Sequence, residues 1–191
     1  MKILIGCSYT GILREEFAKR GHDVTSCDYR DTLIPGKHHK GNIMDLYNEK
    51  FDLAILHPDC KFLAFSGEQW IIKEPGRMKK RINALAFLMR LHNNKNWKSV
   101  ATENSFSPFI EKYFRVPDCT VQPWQFGDPF QKRTCFWLRD LPILLPTSIV
   151  SPGEFYRTPC GERIPKWYSN NKKDRDKTFP GMASAIAEQW G

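Results

Sequence analysis

The chain has 191 residues, 29 Lys and Arg against 21 Asp and Glu, and a formal net charge of +8. Hydrophobic residues make up 41% and aromatic residues 13%, which excludes a disordered chain, and the length fits one domain with a core of its own. The excess of positive charge suits a polyanionic partner, because Lys and Arg displace counterions from phosphates.

Lys2–Gly6 reads as a short buried strand, and Gly6 to Gly11 as a turn of small residues. Ile12 to Arg20 carries apolar residues at helical spacing (Ile12, Leu13, Phe17, Ala18), with Gly21 as its stop. Asp23–Cys27 is a second strand, ending at Asp28. Strand, turn, helix and strand in that order predict a parallel sheet with a right-handed crossover. Residues 30–41 read as a polar, basic loop, and Asn42–Leu46 as the end of a weak strand. Phe51–Leu56 is the next buried strand, broken by His57-Pro58-Asp59-Cys60. Arg81–Leu91 has helical spacing, and Ser99–Thr102 is a strand ended by Glu103-Asn104-Ser105-Phe106. Residues 121–136 are rich in aromatics, Pro and Gly and run into Arg133–Leu138, an alternating strand. Residues 142–177 are Pro-rich and polar without a period, and Ala183–Trp190 is a final helix. The predicted architecture is a single α/β domain over 1–191, built on a doubly wound, mostly parallel sheet.

The N-terminus lacks the longer apolar core and cleavage site of a signal peptide. No apolar stretch approaches the ~20 residues that span a bilayer. The expectation is a cytoplasmic protein without a membrane partner. Cysteines at 7, 27, 60, 119, 135 and 160 show no CxxC spacing, so neither a metal site nor a disulfide framework is predicted. Basic residues are densest at Lys37–Lys40, Arg77–Arg81 and Lys172–Lys177.

Ligands of an open parallel sheet sit beyond the carboxyl ends of its strands. Five polar clusters fall there: Gly6–Gly11, Asp28, Asn42–Asp45, His57–Cys60 and Glu103–Asn104. The first is neither GxGxxG nor a P-loop. Asp28, at the end of the second strand, is placed to bond the two hydroxyls of a ribose, or else to cap a helix. Cys60 is a nucleophile if its pKa is lowered, and otherwise an inert thiol. Glu103 reads as a partner for a heterocycle or as half of a salt bridge. Residues 122–134 combine aromatic faces with Lys132 and Arg133, which suits stacking plus phosphate contact.

In this order the motifs resemble the catalytic domain of cytosine carbon-5 DNA methyltransferases, in particular the compact phage- and prophage-type proteins like them. Gly6-Cys-Ser-Tyr-Thr-Gly11 stands where that family has its S-adenosylmethionine loop. Cys27-Asp28 matches its ribose-binding acidic end, and Gly41-Asn42-Ile43 its Gly-Asp-Ile. His57-Pro58-Asp59-Cys60 stands in for Pro-Pro-Cys, Glu103-Asn104-Ser105 for Glu-Asn-Val, and Phe126–Arg133 for the segment that carries a cation near the target base. Residues 178–188 resemble the family's C-terminal helix, which packs beside the cofactor.

The resemblance implies a Rossmann-like methyltransferase fold and S-adenosyl-L-methionine as cofactor. It makes Cys60, Glu103 and Arg133 catalytic, and gives Gly6, Ser8, Gly11, Asp28, Asn42, Pro58 and Gly181 to the cofactor. It also implies addition of Cys60 to carbon 6 of cytosine, with the base flipped out when the target is duplex DNA. The sequence departs from the family at Asp59, which puts a negative charge beside the thiol, and at Asn42, which replaces a carboxylate. The region that reads DNA in the family is reduced here to the Pro-rich stretch 139–177. Three functions follow: a cytosine methyltransferase with little target recognition and DNA as its favoured partner, an enzyme on a free pyrimidine nucleotide, or a module that binds nucleic acid, a nucleotide or a protein without catalysis.

Overall fold

The structure, a computed structural model, describes residues 1–157, 159, 161, 163–165 (backbone only) and 177–191. Cys160 and residues 172–176 of the basic patch Lys172–Lys177 lie outside the described residues. The central sheet takes its strands from β1 (Lys2–Gly6), β2 (Asp23–Asp28), β3 (His38–Lys40), β4 (Phe51–Leu56), β5 (Trp97–Ser105), β6 (Cys119–Val121) and β7 (Thr134–Arg139). Their order is β3-β2-β1-β4-β5-β7-β6. All neighbours among β1 to β5 pair parallel, while β7 runs antiparallel to both β5 and β6.

Alternation along the strands fills both faces, as expected where successive side chains point to opposite sides. Ile3, Ile5, Leu53, Ile55, Phe136 and Leu138 meet helices α1 (Ile12–Ala18) and, at the C-terminus, Pro180–Trp190 on one face. Leu4, Ala54, Leu56 and Val100 meet the other face, where Leu91 of Arg77–His92 closes the core. Cys135 and Trp137 extend that second layer against Leu85, Leu88 and Ile110. In chain order the remaining helices are α2 (Gln69–Lys73), α3 (Arg77–His92), α4 (Pro108–Tyr113) and α5 (Pro180–Trp190). Helices on both faces make the sheet doubly wound, the fold class that the sequence predicts.

Two local readings are corrected. The loop predicted over 30–41 contains strand β3, which pairs with β2 from Ser26↔His38 to Asp28↔Lys40. It is a polar edge strand, and His38 Nδ1 lies 2.8 Å from the Ser26 hydroxyl. The weak strand predicted at 42–46 is instead a 3-10 turn over Ile43–Leu46. Asn42 caps it, accepting from Met44 N at 3.0 Å, while Asp45 reaches back to Asn42 N at 3.1 Å. In the aperiodic stretch, β8 (Phe155–Arg157) and β9 (Arg163–Pro165) pair antiparallel as a separate ribbon. No helix among the described residues is long and apolar enough to cross a membrane.

Candidate functional site

The strand order reverses between β1 and β4, so their carboxyl ends splay and leave a crevice. A cavity of about 740 Å³ lies there, in the size range of pockets that take small molecules. Its walls come from the segments that follow β1, β2, β3, β4 and β5, joined by Phe87, Lys132 and Thr178.

One half of the cavity is built by the turns after β1 to β3. Ser8 N donates to Cys27 O at 3.0 Å and ties the first turn to β2; Cys7 takes a left-handed φ of 57° to make that turn. Asp28 lines the cavity from the end of β2. Its carboxylate accepts from Arg30 N and Arg30 Nε, each at 3.0 Å, and the Arg30 guanidinium stacks 3.6 Å over the Tyr9 ring. Asn42, Ile43, Pro58 and Phe87 give this half its amide and its apolar faces.

The other half is built by the ends of β4 and β5. His57 N donates to Gly6 O at 2.9 Å, so the break after β4 is anchored on β1. Asn104 Nδ2 donates to Pro58 O at 2.9 Å and holds the same break on β5. Cys60 O then accepts from Leu63 N and Ala64 N, and buried Leu63 pins the turn beneath the thiol. His57 Nδ1 lies 3.2 Å from Glu103 Oε2. Burial raises the Glu103 pKa, but the hydrogen bond from His57 and the positive charge of Lys132 outweigh it and hold the carboxyl below its ordinary value. It is therefore ionised at neutral pH, and Nδ1 must carry the proton in the bond.

Three thiols line the cavity, and electrostatics separates them. Burial, with Cys27, Asp28 and Asp59 adding to it, pushes Cys7 up to about 12. Burial with Asp28 and Asp45 does the same to Cys27. Cys60 is exposed at the mouth of the cavity, yet partial desolvation by the cavity walls, Glu103 and Asp59 raise its pKa; it alone of the three also has groups that favour its thiolate, a hydrogen bond from Ser105 and the charge of Lys132.

Of the residues singled out from sequence, Cys60, Glu103, Ser8, Asp28, Asn42 and Pro58 come together around this cavity. Four do not line it. Gly6 is a packing position, since a Cβ there would sit 2.3 Å from Ile43 Cδ1. Gly11 has φ 77° and would place a Cβ 2.9 Å from Ile34 Cβ. Gly181 donates its N–H to Asp128 Oδ2 at 2.9 Å, and a Cβ on it would meet Phe126 O at 1.9 Å. Arg133 points its guanidinium over the Phe106 ring, 3.8 Å from the centroid, and the cation in the cavity wall is Lys132. Lys132 and Arg133 precede β7 in irregular chain, and their side chains go to different places: one to the cavity wall, the other to the Phe106 ring. Lys132, Ser105 and the His57–Glu103 pairing are the features that motif reading passes over. For Ser105 the signal is parity along β5.

No known family profile matches the chain, and no curated relative matches it. Among solved structures, the chain is similar to the Entamoeba histolytica methyltransferase EhMeth (12% identity, TM-score 0.43, 78% of this chain and 57% of that one). It is also similar to WbdD crystallised with the kinase inhibitor LY294002 (12%, 0.43, 82% and 40%). A third similar structure is a Spodoptera frugiperda DNMT2 mutant (17%, 0.40, 86% and 57%). The chain thus spans about half the length of these proteins. Its seven-stranded sheet, mostly parallel with β7 reversed and helices on both faces, is a doubly wound, Rossmann-like α/β fold.

Proposed function

We propose that the protein is an S-adenosylmethionine-dependent methyltransferase acting on carbon 5 of cytosine in nucleic acid, with DNA as the favoured substrate and little reading of target sequence. The observation that carries this reading is the convergence in one cavity of a nucleoside-type half (Asp28, Asn42, Ile43, Phe87) and a thiol half (Cys60, Glu103, Ser105, Lys132). The first half fits the cofactor in kind. Apolar side chains would flank an adenine ring, and the Asp28 carboxylate would take ribose hydroxyls once Arg30, whose side chain is half exposed, swings away.

When bound, S-adenosylmethionine supplies the methyl group. The chain's own residues do the rest. Ser105 and Lys132 favour the Cys60 thiolate, which forms a bond from sulfur to carbon 6 and shifts electron density to carbon 5. Glu103, held ionised, accepts from the amino group at the ring nitrogen 3 edge and so orients the base. After methylation the carbon-5 proton passes to a water molecule in the cavity, its electron pair re-forms the ring double bond, and the carbon–sulfur bond breaks to return Cys60 as the thiolate. His57 keeps Glu103 in place by donating from Nδ1.

Labelled S-adenosylmethionine should transfer its methyl group to DNA, and Cys60→Ser should abolish the transfer. Labelling of dCMP but not of DNA would move the reading to a free pyrimidine nucleotide. One arrangement favours binding without catalysis: Asp59 and Glu103 both act against the thiolate. Absence of S-adenosylmethionine binding at millimolar ligand in calorimetry would leave that reading alone standing.

A further inference from the structure

The rim of the cavity next to Cys60 carries exposed rings set among cations, an arrangement that the reaction at the thiol does not use. Phe65 is 55% exposed and lies 6.3 Å, ring to ring, from Phe106, and Phe65 N donates to Phe106 O at 3.3 Å. The Arg133 guanidinium stacks on that Phe106 ring. Trp70 on α2 is 43% exposed with Lys73 5.3 Å from its centroid. Phe62 has Arg77 at 5.3 Å and Lys80 at 5.8 Å. Phe62, Phe106 and Arg133 border the site through the chain itself: Phe62 is two residues from Cys60, Phe106 follows Ser105, and Arg133 follows Lys132; Phe65 reaches it through its contact with Phe106, and Trp70 lies on the helix that follows the 3-10 turn Phe65–Gly67.

Charge on this rim is mainly positive: Asp59, beside Cys60, is exposed and accepts from Lys61 N at 2.8 Å, and the other carboxylates are paired. The carboxylates of Glu68 and Glu74 are bound by Arg81 at 2.9 Å and Arg77 at 2.7 Å. Lys61, Lys73, Lys79 and Lys80 are exposed around them. Exposed rings that would weaken a soluble surface, beside cations that would repel one another, are together what a polyanion with flat apolar faces needs. A duplex hides its base faces in the stack, whereas a single strand presents them.

Resting on the methyltransferase reading above, we propose that this rim is a stacking platform for single-stranded nucleic acid. Bases stack on Phe65, on Trp70 and on the Arg133 guanidinium that caps Phe106, phosphates run along the lysines of residues 61–80, and the target cytosine enters the cavity from a strand already unpaired. The platform would supply affinity without reading sequence, since every base has a face to stack.

The test is fluorescence anisotropy of a short labelled oligodeoxynucleotide, as single strand and as its duplex, with no cofactor present. The single strand should bind more tightly than the duplex. Phe65→Ala and Trp70→Ala, both at exposed positions that leave the core intact, should each weaken single-strand binding on the order of 5- to 100-fold. Lys95→Ala and Lys98→Ala remove the same kind of charge at the amino end of β5, away from the rim, and should change it less than the ring variants do. Duplex binding equal to or tighter than both the deoxyribo- and the ribo- single strand, or unchanged affinity in both ring variants, overturns the platform. An oligoribonucleotide arm tells RNA from DNA: tighter binding of either supports the platform, and weaker binding of both single strands than of the duplex contradicts it. Failure of the methyltransferase reading has a separate signature, namely a single strand that binds through the rings while no methyl group is transferred to any substrate.

Discussion

His57 Nδ1 and Glu103 Oε2 meet at 3.2 Å and join the end of β4 to the end of β5, while the other ring nitrogen, Nε2, is buried with no hydrogen-bond partner among the described residues. The pair explains how a carboxylate persists in a site that burial would otherwise neutralise. His57→Ala should raise the Glu103 pKa, because desolvation is then opposed by Lys132 alone. A carboxyl held low in the folded state contributes stability that is present above its unfolded value, about 4.3, and is lost as pH falls through the folded value. Wild-type protein should therefore lose stability between pH 5 and pH 3 from this group, and His57→Ala should lose less there, having already lost on the order of 2 kcal/mol at pH 7. Urea unfolding at the two ends of that window reads both. Glu103→Gln keeps an acceptor for Nδ1 and should cost less than His57→Ala.

The thiol of Cys60 should alkylate slowly at pH 7 and faster through the alkaline range, because partial desolvation, Glu103 and Asp59 raise its pKa. Asp59→Asn removes one of those charges and should speed alkylation at neutral pH. Lys132→Ala removes the opposing charge and should slow it. Peptide mapping of the iodoacetamide product at Cys60, as a function of pH, measures this site apart from the other thiols.

Asp28 and Arg30 compete with any ribose for the same carboxylate oxygens. Their ion pair is partly exposed, so it is worth about 0–1 kcal/mol, and Arg30→Ala should tighten S-adenosylmethionine binding by no more than about fivefold. Asp28→Ala should weaken it at least tenfold, the loss expected when a charged acceptor of two hydroxyls is removed. Isothermal calorimetry on the three proteins decides; equal affinity in wild type and Asp28→Ala would take the ribose away from Asp28.

Gly11 and Arg14 form the structural anchor beneath the Asp28 half of the cavity. Arg14 is 2% exposed and donates to Ser26 Oγ at 3.0 Å, Thr32 Oγ1 at 3.2 Å and Ile34 O, fastening residues 32–34 to α1. Arg14→Met leaves those acceptors without their donor and should cost on the order of 3 kcal/mol in urea unfolding. Gly11→Ala adds left-handed strain and a contact with Ile34, and should cost about 1–2 kcal/mol. A stability loss in Gly11→Ala is expected even without cofactor, which marks this glycine as a packing residue.

The parts of the fold legible in sequence are those where burial acts on both sides of a strand. Lys2–Gly6 and Phe51–Leu56 have near-continuous apolar runs, Asp23–Cys27 buries Val24 and Cys27, and the observed limits of all three match the reading to within a residue. β3 is not legible because His38-His39-Lys40 is an edge strand held by backbone pairing and polar contacts, among them Ser26–His38 and His39–Asp45, with no apolar signature. The helix predicted from Arg81 begins at Arg77, since Arg77 and Arg81 are buried by their pairs with Glu74 and Glu68, which periodicity scores as exposed. In the site, side chains fixed by a strand end, Asp28, Cys60 and Glu103, fell where the sequence placed them. Glycines were harder to assign. Gly6, Gly11 and Gly181 answer to Ile43, Ile34 and the Phe126 carbonyl, contacts between segments far apart in the chain. Arg133 and Lys132, in irregular chain before β7, could be told apart only in the structure.

The central claim is that Cys60 adds to carbon 6 of a cytosine in a nucleic acid strand. An oligonucleotide carrying 5-fluorocytosine tests it most directly, because the ring cannot lose its carbon-5 substituent as a proton and the enzyme stays attached. Incubated with S-adenosylmethionine and then denatured, wild-type protein should retain the strand on the peptide that contains Cys60, seen by mass spectrometry, and Cys60→Ser should retain none. No covalent complex in the wild type, or one that survives in Cys60→Ser, would contradict the assignment.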